Sequence, residues 1–191
     1  MACGIWCSSG SEALNHVASN AMASPCFAPP TRNGVGPSCV ALPPGTWPTL
    51  LDFLQERFPN VTRATWLLRM ARGDVLHDTG QAVSPEQAGA APYPVHQRLY
   101  YYRDVPNEPA IPFEAVVLHQ DAHLIVVDKP HFLPVMPSGG YLNETVLVRL
   151  KRALDIDTLV PIHRIDRDTA GLVMFSTQPS SRAAYNRLFS Q

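Results

Sequence analysis

Beyond residue 39 the 191-residue chain has no cysteine, and as a whole it has neither a large surplus of one charge nor a long apolar run. Each absence narrows the field. Cys3, Cys7, Cys26 and Cys39 match no paired Cys-x-x-Cys spacing, and no His-x-x-x-His arm follows them, so they read as reduced thiols rather than as a zinc module. With 15 basic against 16 acidic side chains and a formal charge of -1, no global field draws in a polyanion. Any nucleic-acid surface must therefore come from local clustering. The roughly 20 consecutive apolar residues of a membrane span are missing, as are the basic start and apolar core of a secretory signal. The chain reads as cytoplasmic, without a membrane partner.

Residues 1–46 contain only two charged side chains, Glu12 and Arg32. Pro25, Pro29, Pro30, Pro37, Pro43 and Pro44 interrupt any regular element, so this leader is expected to be disordered. From Trp47 the pattern changes. Leu50, Leu51, Leu54 and Phe58 recur at helical spacing up to Pro59-Asn60, and a second helix from about Thr62 carries Trp66, Leu67 and Met70 before stopping at Gly73. Val75 to His77, a turn at Asp78-Thr79-Gly80 and Val83 make a small hairpin that closes a unit at 47–90.

Residues 55–72 carry Arg57, Arg63, Arg69 and Arg72 against Glu56, whereas 73–128 carry eight carboxylates against Arg98 and Arg103. A basic helical pair thus precedes an acidic, proline-rich connector at 91–114. Within it, Leu99-Tyr100-Tyr101-Tyr102 has the composition of a strand, and Pro106, Pro109 and Pro112 keep the remainder irregular. From residue 115, two apolar runs flank the polar turn His119-Gln120-Asp121 as a hairpin. A helix follows with Val146, Leu147, Leu150 and Leu154 inward, then strands at 160–162 and 171–175, and a closing helix from Arg182 to Ser190.

The segment His163-Arg164-Ile165-Asp166-Arg167-Asp168-Thr169-Ala170-Gly171 packs two arginines, two aspartates and a histidine into six positions between apolar strands. It is a site or a salt-bridged turn. Cations at 164 and 167 favour an ionised Asp166 at neutral pH. His163 reads as a strand-end histidine, and Thr169 and Gly171 as turn geometry. Lys129 and Tyr141 are lone residues that rank low as RNA contacts.

The run from His163 to Leu172 resembles the His-Arg-Leu-Asp-Arg-x-Thr-Ser/Ala-Gly-Leu signature of the RluA-type pseudouridine synthases. His119-Gln-Asp-Ala-His-Leu-Ile-Val-Val-Asp-Lys-Pro130 resembles the opening hairpin of that family, and Pro134-Val135-x-Pro137 the loop after it, so the likeness is collinear over 115–190. More weakly, Leu51-Asp-x-Leu54, Thr62-Arg63, Arg69, Gly73-x-Val75, Gly80 and Val83 resemble an S4-type RNA-binding module.

The resemblance implies an α+β protein in which an S4-like αα-β-hairpin module at 47–90 precedes an incomplete mixed-sheet pseudouridine synthase catalytic domain at 115–191. It implies isomerisation of uridine to pseudouridine in structured rRNA or tRNA. Asp166 is then the catalytic carboxylate, either as nucleophile at C1′ or as the base that removes the 2′ proton. Arg164 is the candidate to occupy the gap left by an unstacked uridine or to clamp a phosphate. Arg167, with Arg63, Arg69 and Arg72 of the front module, supplies further RNA contacts. No metal and no organic cofactor is called for. Family members continue past the position of Gln191 with a tyrosine that stacks on the uracil and a Gly-Arg-Thr-His-Gln-like segment. The chain is therefore expected to be truncated, to expose strand edges and an apolar face, and to be poorly active alone. The alternative is a catalytically inactive RNA-binding remnant of such an enzyme.

Overall fold

Thr49 opens the first helix of the structure, a computed structural model that describes residues 29–189. The first 28 residues of the expected leader, with Cys3, Cys7 and Cys26, lie outside the described residues. Two compact units are present. One comprises Pro37–Tyr102 with Pro29 and Pro30, the other Thr31–Gly36 with residues 103–189.

In the first unit the sheet order is β1 (Ser38–Ala41), β3 (Arg98–Tyr101), β2 (Val75–His77), antiparallel throughout. Three helices accompany it: α1 (Leu50–Arg57), α2 (Arg63–Ala71) and α3 (Pro85–Ala90). The caps explain where the first two begin. Asp52 N–H donates to Thr49 Oγ1 at 3.3 Å while Thr49 N–H donates to Asp52 Oδ2 at 3.2 Å, and Thr65 N–H donates to Thr62 Oγ1 at 3.2 Å. Gly73, at φ +72°, lets the chain leave α2. Leu51, Leu54, Trp66, Val75, Val83 and Leu99 are fully buried together.

Two expected boundaries shift here. Ser38–Ala41, placed in the leader by its flanking prolines, forms β1 and sends Val40 into the core. Leu99 to Tyr101, assigned to the connector, belongs to the central strand, which holds β1 on one side and β2 on the other. The anticipated small hairpin forms around Gly80, its return arm reduced to a single bridge between Leu76 and Ala82.

The second unit is built on a four-stranded sheet of order β4 (Val116–Gln120), β5 (Leu124–Lys129), β7 (Gly171–Ser176), β6 (Val160–Pro161). Every pairing among the described residues is antiparallel, not mixed as expected. Asp121 closes the β4–β5 turn by accepting from the His123 and Leu124 N–H groups, each at 2.7 Å. The His123 N–H, the His119 ring and the Leu124 N–H pull its carboxyl down to about 2. Ile125, Val127, Val173 and Phe175 alternate onto the inner face and pack with Val146, Leu147 and Leu150 of α4 (Val146–Leu154). Helix α5 (Pro179–Leu188) starts three residues before the expected Arg182, with Pro179 in its first turn. Val116, Leu118 and Leu172 are exposed.

Residues 103–114 are not a free linker. Their backbone lacks a strand partner, and side chains hold it at Ile111 and Phe113: Ile111 N–H donates to Glu144, and Arg149 donates to the Ile111 and Phe113 carbonyls, each at 2.6 Å. In return, Glu108 accepts from the N–H groups of Leu142, Asn143 and Glu144 at 2.6–2.9 Å. Burial alone would raise the Glu108 carboxyl. The N–H groups of Glu144, Asn143 and Leu142, with the Asn143 amide, outweigh it and hold the carboxyl below its ordinary value. Stabilisation by ionised Glu108 is therefore complete above about pH 4.5 and is lost as pH falls through the lower folded value. Glu108→Gln should cost about 1–3 kcal/mol at pH 7. The difference in Tm between variant and parent should narrow as pH is lowered below about 4.5; a gap that does not narrow on acidification refutes the ionic origin.

Candidate active site

Between β6 and β7 the chain makes the loop 162–170, whose start is held by two hydrogen bonds to one residue of β7. Ile162 N–H donates to the Met174 carbonyl at 2.9 Å, and Met174 N–H donates to His163 Nε2 at 3.2 Å. The second bond needs a lone pair on Nε2, hence a neutral ring. The ring stacks on Phe189 with centroids 4.9 Å apart, and burial lowers its pKa below the ordinary value. The contribution of neutral His163 is thus present above about pH 6.5 and is lost as pH falls through its folded value. Titration of the ring followed by NMR should give a midpoint below 6.5; a midpoint above it would discard the acceptor role.

Past His163, Ile165 turns into the core cluster while Arg164 and Asp166 on either side of it are exposed. One apolar anchor thereby fixes two polar neighbours outward. Thr169 N–H donates to the Asp166 carbonyl at 3.1 Å, and Gly171 re-enters β7 at φ +147°, a conformation that side-chain-bearing residues rarely adopt. Arg167 pairs with Asp168 at 2.8 Å and lies with its guanidinium carbon 5.9 Å from the Tyr141 ring centre. Asp168 and the Tyr141 oxygen both raise its pKa.

Beneath the loop sits a residue the sequence reading ranked low. Lys129 occupies the inner face of β5 opposite Gly171 and is fully buried. Its Nζ donates to the carbonyls of Pro130 and Leu133, each at 2.8 Å, and of Arg167 at 3.1 Å. An ammonium has three N–H donors, and all three are used. Burial pushes its pKa down, opposed by the Asp168 charge. For Pro130 and Leu133 to face one ammonium the chain must curl, and Phe132 carries the bend at φ +67°. That conformation costs a bulky residue on the order of 1–3 kcal/mol. Alternation offered a signal for Lys129, because Ile125, Val127 and Lys129 share one face of the strand. His131, also missed, donates through Nδ1 to the Asp168 carbonyl at 2.8 Å.

The remaining sequence candidates lie in the first unit. Arg63 is exposed, 4.0 Å from Asp52, and Arg72 is half-exposed and paired with Asp74 at 2.9 Å. Arg69 departs from expectation: it is 6 % exposed, its guanidinium carbon 5.3 Å from the Trp66 ring centre. Residues three apart share a side of a helix, so buried Trp66 takes Arg69 inward.

Residues 123–191 match the family described as RNA pseudouridylate synthase. An uncharacterized RNA pseudouridine synthase of Synechocystis is 34% identical over 142 residues, 74% of this chain and 47% of that protein. RNA pseudouridine synthase 7 of Arabidopsis thaliana is 34% identical over 131 residues, 69% of this chain and 32% of that protein. Ribosomal large subunit pseudouridine synthase D of Pseudomonas aeruginosa is 32% identical over 82 residues, 41% of this chain and 25% of that protein. The chain belongs to the RluA-type pseudouridine synthase family. It spans about half, or less, of the length of these relatives. A match of 142 residues cannot be contained in 123–191, so the likeness extends upstream into the first unit.

Proposed function

We propose that the chain carries the reacting loop of an RNA pseudouridine synthase, with the Asp166 carboxylate as the group that meets the ribose. One observation supports this most directly: within a family-matched segment, Asp166 is turned outward by an inward Ile165. The reaction breaks uracil N1–C1′, turns the base and forms C5–C1′, with one proton lost from C5 and one gained at N1. Asp166 acts as nucleophile at C1′ or as base at C2′. Arg164, exposed beside it, is suited to a phosphate or to the gap left by an extruded base, whereas the Arg167 guanidinium also braces Asp168 and Tyr141. Exposed Arg63 and half-exposed Arg72 support an RNA-binding, S4-like role for the first unit, in which Arg69 is structural. The substrate class is structured rRNA or tRNA; the name of the Pseudomonas relative favours testing large-subunit rRNA first.

The test is release of tritium from uracil C5 on incubating the full chain with rRNA and tRNA transcripts. Time-dependent release supports the proposal. Binding of the same transcripts without release favours the RNA-binding remnant instead.

A further inference from the structure

The loop that presents Asp166 is held from two sides by residues that the proposed reaction does not use. From below, Lys129 Nζ reaches the Arg167 carbonyl, one residue after Asp166, and binds the carbonyls of its own following loop, Pro130 and Leu133. From the surface, His131 Nδ1 reaches the Asp168 carbonyl, two residues after Asp166. Consecutive peptide groups of the reacting loop are thus tied to one short segment, Lys129 to Leu133. That segment is itself bent through Phe132 at φ +67°, although the Phe132 side chain is 52% exposed and gains little by burial there. The half-exposed Phe132 ring meets only Phe113 and His131 among the described rings, at 6.3 and 5.9 Å; a strained bend at such a position persists where other bonds fix the chain, and here the bend brings the carbonyls onto Lys129. Meanwhile the Asp166 side chain remains outward.

We propose that Lys129 and His131 are positioning residues: a two-point clamp that sets the backbone of 166–168 and so aims the Asp166 carboxylate at the sugar. The catalytic half of this statement rests on the proposed function; the clamp itself does not. Lys129 supports the loop through the core and His131 through the surface, so replacing the two separates loop order from overall stability. Rigid presentation matters because a misplacement of about 1 Å can cost on the order of 100-fold in rate.

The experiment compares the parent chain with Lys129→Met, His131→Ala and His131→Asn, the last because its amide nitrogen can stand where Nδ1 stands. Amide hydrogen exchange is followed at Thr169, whose N–H bonds to Asp166, and at Val127 and Val173 in the core strands. In His131→Ala, Thr169 should exchange at least about tenfold faster while Val127 and Val173 change less than twofold, and His131→Asn should return Thr169 to the parent rate. On a transcript the parent converts, His131→Ala should lower kcat about tenfold or more with KM within twofold. Lys129→Met should loosen Thr169 further than either. Unchanged Thr169 exchange in His131→Ala, equal loosening of loop and core, or no recovery with Asn would each overturn the clamp. If the parent converts no transcript, the functional reading fails, and the exchange data alone decide whether the clamp exists.

Discussion

Asp166→Asn is expected to lower the rate of pseudouridine formation by about 10²–10⁴-fold, the range for losing a positioned acid–base group, or by more if the carboxylate is a nucleophile. Folding should be almost untouched. The hydrogen bond that closes the turn uses the Asp166 main-chain carbonyl, and the side chain is exposed, so an isosteric amide disturbs no packed contact. The stability change should stay within about 0.5 kcal/mol. The affinity for RNA should likewise hold, because the cations proposed to meet phosphates are Arg164, Arg63 and Arg72, none of which is replaced. Rate, melting temperature and binding measured together make the outcome specific. A large loss of rate with Tm and Kd intact assigns the chemistry to this carboxylate. Release of tritium at the parent rate moves the chemistry to another residue, and a Tm lowered in step with activity reduces Asp166 to a structural group.

How far this site and fold could be read beforehand depended on whether the governing contacts were local. Helices α1, α2 and α4 were legible because their signals are: threonine caps at 49, 62 and 145, apolar spacing of three and four, and Gly73 beyond α2. Helix α3 went unread although Ser84, Pro85 and Gln87 form a capping box with proline in the first turn. Strand β1 is different in kind. Ser38–Ala41 is four residues long and flanked by prolines, and only pairing with β3, some sixty residues later by the register of Ser38 with Tyr101, makes it a strand. At the loop, charge density pointed to the segment 163–171 and the family resemblance to Asp166 within it, whereas the role of Lys129 requires knowing that it lies opposite Gly171. Arg69 was assigned to the RNA face with Arg63 and Arg72 from their helical spacing and the S4-like resemblance, whereas it is buried on the same side of α2 as Trp66.

Trp66 also carries the largest expected effect on stability. It is completely buried, with the rings of Phe58 and Tyr101 at 5.5 and 5.2 Å and the Arg69 guanidinium carbon at 5.3 Å. Trp66→Ala removes that whole contact surface from the centre of the first unit and should cost about 3–5 kcal/mol. Against a typical domain stability of about 5–15 kcal/mol, such a loss moves the denaturation midpoint far enough to be unmistakable. Trp66→Phe tests a finer point. The indole Nε1 is buried and has no hydrogen-bond partner among the described residues, and an unsatisfied buried donor costs about 1–3 kcal/mol. Replacing tryptophan by phenylalanine removes that unsatisfied donor along with some packing, so the two changes oppose each other and the net loss should stay below about 1.5 kcal/mol. Urea unfolding of both variants separates the contributions. If Phe proves as damaging as Ala, the indole N–H is engaged and its loss is what costs stability. If Phe is tolerated and Ala is not, α2 is held by apolar packing. Arg63 and Arg72, on and just after that helix, then depend for their placement on a residue that never meets solvent.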